Sequence, residues 1–295
     1  MFDIFGMPIQ VIMGQVTIGL INGSFYAMLS LGLAIIFGLL NIINFSHGAL
    51  YMLGAFIGWM LLNYLGINYW LALILVPVIV GILGIIMERF LIRKLYHVDH
   101  IYGLLLTFGI ALMIQALFLN IFGVSGQRYE VPELLKGTLN LSFMYLPIYR
   151  GWVIVASVIV CVSTWYLIER TKLGSYLRAA TENPQLVQAF GVRVPTLITL
   201  TYGVGVALAA FAGVMAAPVY QVSPLMGVDL VIIVFAVVVI GGMGSIGGAI
   251  IAGFGLGIVE GLTRVVYPEA SSVVIFVVMV IVLLVKPSGL FGKAV

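Results

Sequence analysis

The chain has 295 residues, of which 63% are hydrophobic and 8% are charged, and its formal net charge is +3. Soluble globular domains carry about 25% charged residues, so this composition excludes a water-soluble fold and indicates a membrane protein. The apolar stretches are long and continuous, which favours helices of roughly 20 residues over the alternating strands of a β-barrel. We therefore predict an all-α polytopic membrane protein with about eight to ten transmembrane helices.

The predicted helices follow from apolar runs along the chain. These runs are 9–40, 45–65, 69–92, 102–123, 151–168, 196–218, 228–242, 246–263 and 271–285. The first run is long enough for two pieces or for one strongly tilted helix. We expect the whole chain, residues 1–295, to form a single transmembrane domain.

The loops that carry most of the charge are 88–100, 124–150 and 169–195. Cytoplasmic loops hold an excess of Lys and Arg. Loop 88–100, with Glu88, and loop 169–195 have that excess and are separated by two spans, so we place both in the cytoplasm. The C-terminal tail, with Lys286 and Lys293, joins them, whereas loop 124–150 is charge-balanced and suits the outer face.

Two polar interruptions lie in the N-terminal third. Asn22, Gly23 and Ser24 lie within the first run and predict either a helix contact between small residues or a local unwinding that presents polar groups to a substrate. The stretch Asn41-Ile42-Ile43-Asn44-Phe45-Ser46-His47-Gly48 separates two runs. Polar groups inside a membrane are costly unless they pair or face water, so this stretch indicates a pathway. The alternative is a polar helix connection at the membrane surface.

The segment 169–195 is the longest predicted cytoplasmic stretch. Residues 176–180 can form a short helix, Asn183-Pro184 starts another, and Gly191 and Pro195 end it. The apolar face of the second helix consists of Leu186, Val187 and Phe190. Because this segment is too small to fold alone, we expect it to need a partner surface. The alternative is a helix that lies on the membrane surface.

The last polar interruption is rich in glycine, with Gly241, Gly242, Gly244, Gly247 and Gly248. Each Gly costs a helix about 1 kcal/mol relative to Ala, so we expect the helix to break here. Irregular backbone at membrane depth is tolerated only inside protein or beside a water-filled cavity. The segment is no phosphate-binding loop, because neither a preceding strand nor a following GK[ST] accompanies it.

Charged groups are nearly absent from the predicted spans. Glu260 and Arg264 are four residues apart in the favourable order and predict an ion pair. Ion-coupled carriers more often have an intramembrane carboxylate, so this shortage favours an energy source outside the chain. His47, His97 and His100 are scattered, and no catalytic pattern occurs. We expect no enzyme activity, catalytic residue, metal or cofactor.

Several of these motifs together resemble the LivH-type permeases of high-affinity branched-chain amino acid ABC importers. The matching segments are 22–27 (NGSFYA), 43–48 (INFSHG), 51–54 (YMLG), 178–184 (RAATENP), 190–192 (FGV), 241–249 (GGMGSIGGA) and 286–292 (KPSGLFG). They cover nearly the whole chain, and their order and separations are those of the family.

The resemblance implies an ABC importer permease fold in the bacterial inner membrane, surrounded by lipid and without a nucleic-acid partner. The implied assembly contains a second related permease as heterodimer partner, two ATPase subunits and a periplasmic binding protein. The implied cargo is branched-chain amino acids moved by alternating access; urea, short amides or aromatic carboxylates remain open, because family relatives carry them. A stand-alone channel or secondary carrier is the alternative of a different class.

The resemblance also implies roles for individual residues. The substrate pathway would be lined or supported by Asn22, Ser24, Asn44, Ser46 and His47. An ATPase subunit would contact Arg178, Ala180, Glu182, Asn183, Pro184 and Gly191. Gating would use the backbone of the five glycines between residues 241 and 248.

Overall fold

The computed structural model describes residues 3–4, 7–40, 44–96 and 98–292. The predicted features at Asn41, Ile42, Ile43, His97 and Lys293 lie outside the described residues. The helices are α1 (Ile9–Leu40), α2 (Ser46–Leu65), α3 (Tyr69–Phe90), α4 (His100–Phe122), α5 (Ile148–Arg170), α6 (Lys172–Glu182), α7 (Pro184–Ala189), α8 (Val194–Ala216), α9 (Val228–Gly241), α10 (Ile246–Val266) and α11 (Val274–Val285).

The remaining regular structure is short. Strand β1 (Asp3–Ile4) pairs antiparallel with β2 (Met7–Pro8), and β3 (Thr138–Asn140) pairs antiparallel with β4 (Tyr145–Pro147). In the second hairpin Leu139 lies opposite Leu146. Single 3-10 turns occupy Ile92–Leu95, Glu133–Leu135 and Pro268–Ala270.

The helices coincide with the apolar runs of the sequence. Seven of them, in the described residues, are long and apolar enough to cross a membrane, and α9 and α11 are shorter apolar helices. The prediction of an all-α polytopic membrane protein is therefore confirmed. Helix α1 is continuous over 32 residues, so the first run forms one helix rather than two pieces. At 1.5 Å per residue it is about 48 Å long, more than a hydrocarbon core of about 30 Å.

The chain divides into two compact units. The first contains residues 1–30, 131–161 and 233–295. In this unit α1 and α10 pack with their backbones in close contact at glycine residues. A Cβ on Gly253 would lie 2.5 Å from the Cα of Ala27, and a Cβ on Gly23 would lie 3.0 Å from the Cα of Phe254. Small residues let helices approach this closely in lipid, where apolar burial alone gives little attraction between helices.

The second unit contains residues 31–130 and 162–232. Helices α2 and α3 also pack on α8 through close contacts at glycine residues. A Cβ on Gly54 would lie 2.5 Å from the carbonyl oxygen of Ala210, and one on Gly84 would lie 2.9 Å from the Cβ of Val206. This close packing surrounds the polar residues at the beginning of α2.

Candidate transport pathway and coupling segment

The polar segment at the beginning of α2, which we name the Asn44 turn (residues 44–48), is organised by one amide. The Asn44 Oδ1 atom accepts hydrogen bonds from the Ser46 backbone N–H at 3.1 Å and from the Ser46 hydroxyl at 2.5 Å. Asn44, Ser46 and His47 are all buried, with at most 1% of each residue exposed. Because the amide satisfies the Ser46 hydroxyl and the backbone N–H, the chain can begin a helix in an apolar environment.

Two partners from distant parts of the sequence fix the Asn44 turn. The Asn44 side-chain N–H donates to the hydroxyl of Tyr202 in α8 at 2.9 Å. The Phe45 backbone N–H donates to the Thr107 hydroxyl in α4 at 3.2 Å. Sequence reasoning missed Tyr202 and Thr107, since a single Tyr or Thr in an apolar run gives no signal of its own.

Glycines leave room for the side chains of this turn. A Cβ on Gly32 of α1 would lie 3.1 Å from the His47 Cε1 atom and 2.5 Å from the carbonyl oxygen of Gly205. A Cβ on Gly48 would collide with the carbonyl oxygen of Gly227, and a Cβ on Gly227 would collide with that of Gly48. The imidazole of His47 therefore packs against bare helix backbone.

A small pocket adjoins the turn on its other side. It holds about 80 Å³ and is apolar except for the Gln115 side chain. Its lining residues include Phe45, Gly48, Met52, Phe108, Pro224 and Val231. Asn44, Ser46 and His47 do not line it, so their position on a substrate pathway stays a prediction.

The other two predicted pathway residues, Asn22 and Ser24, lie in α1 within the first unit. The Ser24 hydroxyl donates to the carbonyl oxygen of Leu20 in its own helix at 2.9 Å. The helix is continuous through residues 22–24, and Gly23 packs against α10. The proposed local unwinding is therefore wrong, and the segment is a contact between helices.

The predicted coupling segment forms two short helices, as expected. Helix α6 ends at Glu182, and Asn183 then caps α7, because its Oδ1 accepts the Leu186 backbone N–H at 3.0 Å. Pro184 occupies the first turn of α7, where its missing N–H costs nothing. Gly191 follows with φ of +85°, a conformation that Gly adopts readily.

The inner side of this segment is tied to the rest of the second unit. The Arg178 guanidinium donates to the Glu169 carboxylate at 3.2 Å and to the Ile168 carbonyl oxygen at 3.1 Å. Ala180 and Val187 form a buried cluster with Val194. These contacts hold α6 and α7 against the end of α5 and the beginning of α8.

Large apolar side chains are exposed on α7 and just after its end, beside the exposed Gln185 and Gln188. Leu186 is 55% exposed and Phe190 is 80% exposed, whereas Val187 is buried. The prediction of one shared apolar face was therefore wrong: Val187 points inward because it packs on Ala180 and Val194, and the other two point outward. Leu186 in α7 and Phe190 just after its end are therefore large apolar side chains that this segment leaves exposed.

The predicted helix break at the glycines is confirmed. We name residues 241–248 the glycine turn. Helix α9 ends at Gly241 and α10 begins at Ile246, while Gly242 and Gly244 have φ of +102° and +83°. The Ser245 hydroxyl accepts the Gly248 backbone N–H at 3.1 Å and caps α10, and Gly247 lies in the first turn of α10.

The C-terminal tail, residues 286–292, holds this glycine turn through its backbone. The Leu290 N–H donates to the Ile240 carbonyl oxygen at 2.8 Å, and the Phe291 N–H donates to that of Gly241 at 3.1 Å. These carbonyl groups at the end of α9 would otherwise lack helical partners. A Cβ on Gly289 would lie 2.5 Å from the Gly242 Cα. Sequence reasoning used the tail as a family motif and as a basic cytoplasmic segment, and it missed this contact.

Among the described residues, Glu260 and Glu88 are buried carboxylates within candidate transmembrane helices. The predicted pair of Glu260 and Arg264 is confirmed, with 2.7 Å between Oε1 and Nη2, and the Tyr26 hydroxyl donates to the other Glu260 oxygen at 2.8 Å. A charged group at this depth is tolerated because both carboxylate oxygens have partners.

The second carboxylate, Glu88, corrects the expectation that it lies in a polar loop. Helix α3 continues to Phe90, and Glu88 is fully buried. Its oxygens accept hydrogen bonds from the hydroxyls of Tyr96 at 2.5 Å and Thr199 at 2.6 Å. Burial and the Glu88 carboxylate raise the pKa of the Tyr96 phenol above its usual range, so the phenol remains a donor. The spans therefore do contain carboxylates, and the argument for an external energy source from their shortage fails.

Comparison with known proteins places these features in a family. The family described as the permease component of branched-chain amino acid transport systems matches residues 15–283. The high-affinity branched-chain amino acid transport system permease protein BraD of Pseudomonas aeruginosa is 30% identical, with 95% of each chain covered. LivH of Escherichia coli, a permease protein of such a system, is 29% identical over 93% of this chain and 94% of its own.

A relative of a second type also matches. LivM of Salmonella typhimurium, another high-affinity branched-chain amino acid permease protein, is 27% identical over 96% of this chain and 71% of its own length. No solved structure matches the chain at a significant level.

Proposed function

The chain belongs to the family of branched-chain amino acid transport permeases, and from that premise we propose that it is the transmembrane subunit of an ATP-driven importer. It is a multi-pass membrane protein with seven candidate spans in the described residues. We place it in the bacterial inner membrane, with branched-chain amino acids as cargo. The match of the family to residues 15–283 is the observation that carries the proposal.

The proposed assembly contains a second related permease, two ABC ATPase subunits and a periplasmic binding protein. Similarity to both LivH and LivM, each named as a permease of such a system, supports a pair of related permeases. ATP hydrolysis belongs to the separate subunits in this proposal, and the chain itself is not an enzyme. The chain acts as one permease domain over residues 1–295.

We propose that the coupling segment, residues 169–195, contacts an ATPase subunit. The exposed Leu186 and Phe190 supply the apolar contact, and Glu182 supplies a charge beside it. Arg178, Ala180 and Asn183 transmit the motion, because they tie the two short helices to α5 and α8. Gly191 and Pro184 set the directions in which the chain enters and leaves α7.

Translocation in this proposal is alternating access without covalent chemistry. Asn22 and Ser24 in α1 would line or support the pathway, and so would Asn44, Ser46 and His47 in the Asn44 turn. The glycine turn lets the ends of α9 and α10 move, because its irregular backbone lacks the helical bonds that stiffen a continuous helix. The tail bound to it would then move with the turn.

The first experiment is affinity purification of the tagged chain in mild detergent, with identification of the co-purifying proteins and uptake in liposomes. Two ATPases and a second permease, with ATP-dependent uptake of leucine, isoleucine or valine, support the proposal. Uptake of urea, short amides or aromatic carboxylates instead would change the cargo. ATP-independent uptake by the chain alone would establish a channel or carrier.

A second experiment tests the coupling segment. Leu186→Ala with Phe190→Ala removes the exposed apolar contact, and we expect stimulated ATPase activity to fall roughly tenfold or more, as for hot-spot residues at an interface. Leu134→Ala is the matched control, since Leu134 is also 80% exposed but lies in loop 124–150.

Glu182→Lys and Gly191→Val should likewise uncouple ATPase activity from transport without loss of membrane insertion. Normal ATP-driven uptake by all three variants would remove the coupling role.

A further inference from the structure

A basic pocket lies at the end of α3, on the same side as the beginning of α8. It holds about 270 Å³ and is lined by Ile85, Arg89, Arg93, Thr196, Thr199 and Leu200. Arg89 lies in the last turn of α3, and Arg93 lies in the 3-10 turn Ile92–Leu95 that follows it. Neither guanidinium forms an ion pair in the part of the chain that the structure describes.

A second cavity continues from this pocket towards the middle of the membrane span. It holds about 570 Å³, and Ile85 and Leu200 line both cavities. Its walls are apolar side chains of α1, α3, α5, α6 and α8, including Val78, Ile82 and Val204. Val204 is 51% exposed, so the cavity is open at this side chain.

The two cavities together have the chemistry of one kind of ligand. Two guanidiniums without an ion pair among the described residues, the Thr196 hydroxyl and the positive end of the α8 dipole favour a phosphate group. The adjoining apolar cavity favours a hydrocarbon chain, which a soluble anion does not have. We propose that this groove of α3 and α8 binds an anionic phospholipid, with its phosphate at Arg89 and Arg93 and an acyl chain along Ile82 and Val204.

Neighbouring groups are compatible with an anion in the pocket. The nearby Glu88 carboxylate is fully buried and does not line it. The Thr199 hydroxyl, together with that of Tyr96, donates to this carboxylate. The side-chain charge facing the pocket is therefore that of the two arginines. Basic residues at a cytoplasmic helix end are common, but Arg89 and Arg93 also line a concave site that shares Ile85 and Leu200 with an apolar cavity.

The test uses the purified importer complex, stripped of lipid and then offered phosphatidylglycerol or phosphatidylcholine, with bound lipid counted by native mass spectrometry. We expect the wild-type protein to retain phosphatidylglycerol preferentially. Arg89→Gln with Arg93→Gln should lower that preference roughly 30-fold, the effect expected of two basic side chains at a membrane surface. Lys94→Gln with Arg193→Gln is the matched control, because it removes two nearby exposed charges outside the pocket.

Further variants separate a lipid from a soluble anion and from a folding defect. Arg89→Lys with Arg93→Lys keeps the charge and should restore most of the preference. Val204→Trp fills the apolar cavity from an exposed position and should reduce lipid retention several-fold. Unchanged retention in Val204→Trp, full displacement of the lipid by glycerol 3-phosphate, or equal losses in the pocket and control variants would overturn the proposal. Absence of bound phospholipid in the wild-type complex would also overturn it.

Discussion

The Asn44 turn and the glycine turn both join apolar helices, yet they are built from different groups. In the Asn44 turn, side chains form the structure: the Asn44 amide binds Ser46 and Tyr202. In the glycine turn, backbone forms it, through positive φ at Gly242 and bonds from the tail to the end of α9. The same problem, unsatisfied polar groups at the end of an apolar helix, has two solutions.

The difference determines what each turn can tolerate. A side-chain network depends on the chemical identity of its members, because a missing partner leaves a buried polar group unsatisfied. A backbone turn depends on the space around its glycines and on their φ angles, so added volume damages it. Polarity changes should therefore break the Asn44 turn, and volume changes should break the glycine turn.

The largest expected effect is that of Gly242→Val. A β-branched residue at φ of +102° is strained, at a cost of about 1–3 kcal/mol. The new Cβ would also lie 2.8 Å from the Cα of Gly292, so the C-terminal tail would be displaced from the glycine turn. We expect destabilisation of more than about 3 kcal/mol, seen as loss of the monodisperse peak in size-exclusion chromatography.

Gly255→Val is the matched control for this substitution. Gly255 lies in the same helix pair, in α10, and a Cβ there would meet nothing within 4 Å. Its variant should remain monodisperse, since Val has a higher helix propensity than Gly. Equal behaviour of the two variants would show that the glycine turn does not depend on backbone conformation.

The Asn44 turn should respond to Asn44→Leu, which keeps the volume and removes the amide. The Tyr202 and Ser46 hydroxyls would lose a buried partner, which costs about 2–3 kcal/mol. Thermal unfolding in detergent should show a lower midpoint than Asn63→Leu, a control on the exposed end of α2 where the Asn side chain bonds only its own helix. A midpoint as high as that of the control would contradict the network.

Tyr202→Phe should have a smaller effect, about 1 kcal/mol, because Asn44 keeps its bonds to Ser46. The sharper measurement is a double-mutant cycle with Asn44→Leu. Once the amide is gone, the Tyr202 hydroxyl keeps its hydrogen bond with Ser46, so its removal should cost less than in the wild-type protein and the two effects should not add. Additive effects would mean that the 2.9 Å contact between the two side chains contributes little.

The sequence predicts those parts of the molecule whose signals are local. Every apolar run contains one helix, because length and hydropathy decide a membrane span. The break at Gly241–Gly248 and the cap at Asn183 follow from the intrinsic preferences of Gly and Asn-Pro. Asn44, Ser46 and His47 stand out because polar groups in an apolar context are rare.

The parts that escape prediction are long-range partnerships. Tyr202 is 158 residues from Asn44, and nothing around it distinguishes it from a packing residue. Glu88 is adjacent to Arg89 and lies near Arg93 in the sequence, so it reads as part of a charged loop. Only the fold shows that Thr199, 111 residues away, bonds its carboxylate.

The smallest expected effect concerns Ser245. Its side chain caps α10 in the glycine turn, which is otherwise held by backbone contacts. Ser245→Ala removes the hydroxyl that accepts the Gly248 N–H, and loss of such a cap costs about 1 kcal/mol. Ser245→Asp restores an acceptor, so its unfolding midpoint should lie closer to that of the wild-type protein. If Ala and Asp lower the midpoint equally, the cap contributes nothing, and the tail and the glycines alone hold the turn. If only Ser245→Ala lowers the unfolding midpoint, and by about as much as Tyr202→Phe, then each turn depends on a side-chain hydrogen bond of similar strength. The difference between the two turns then lies in the backbone.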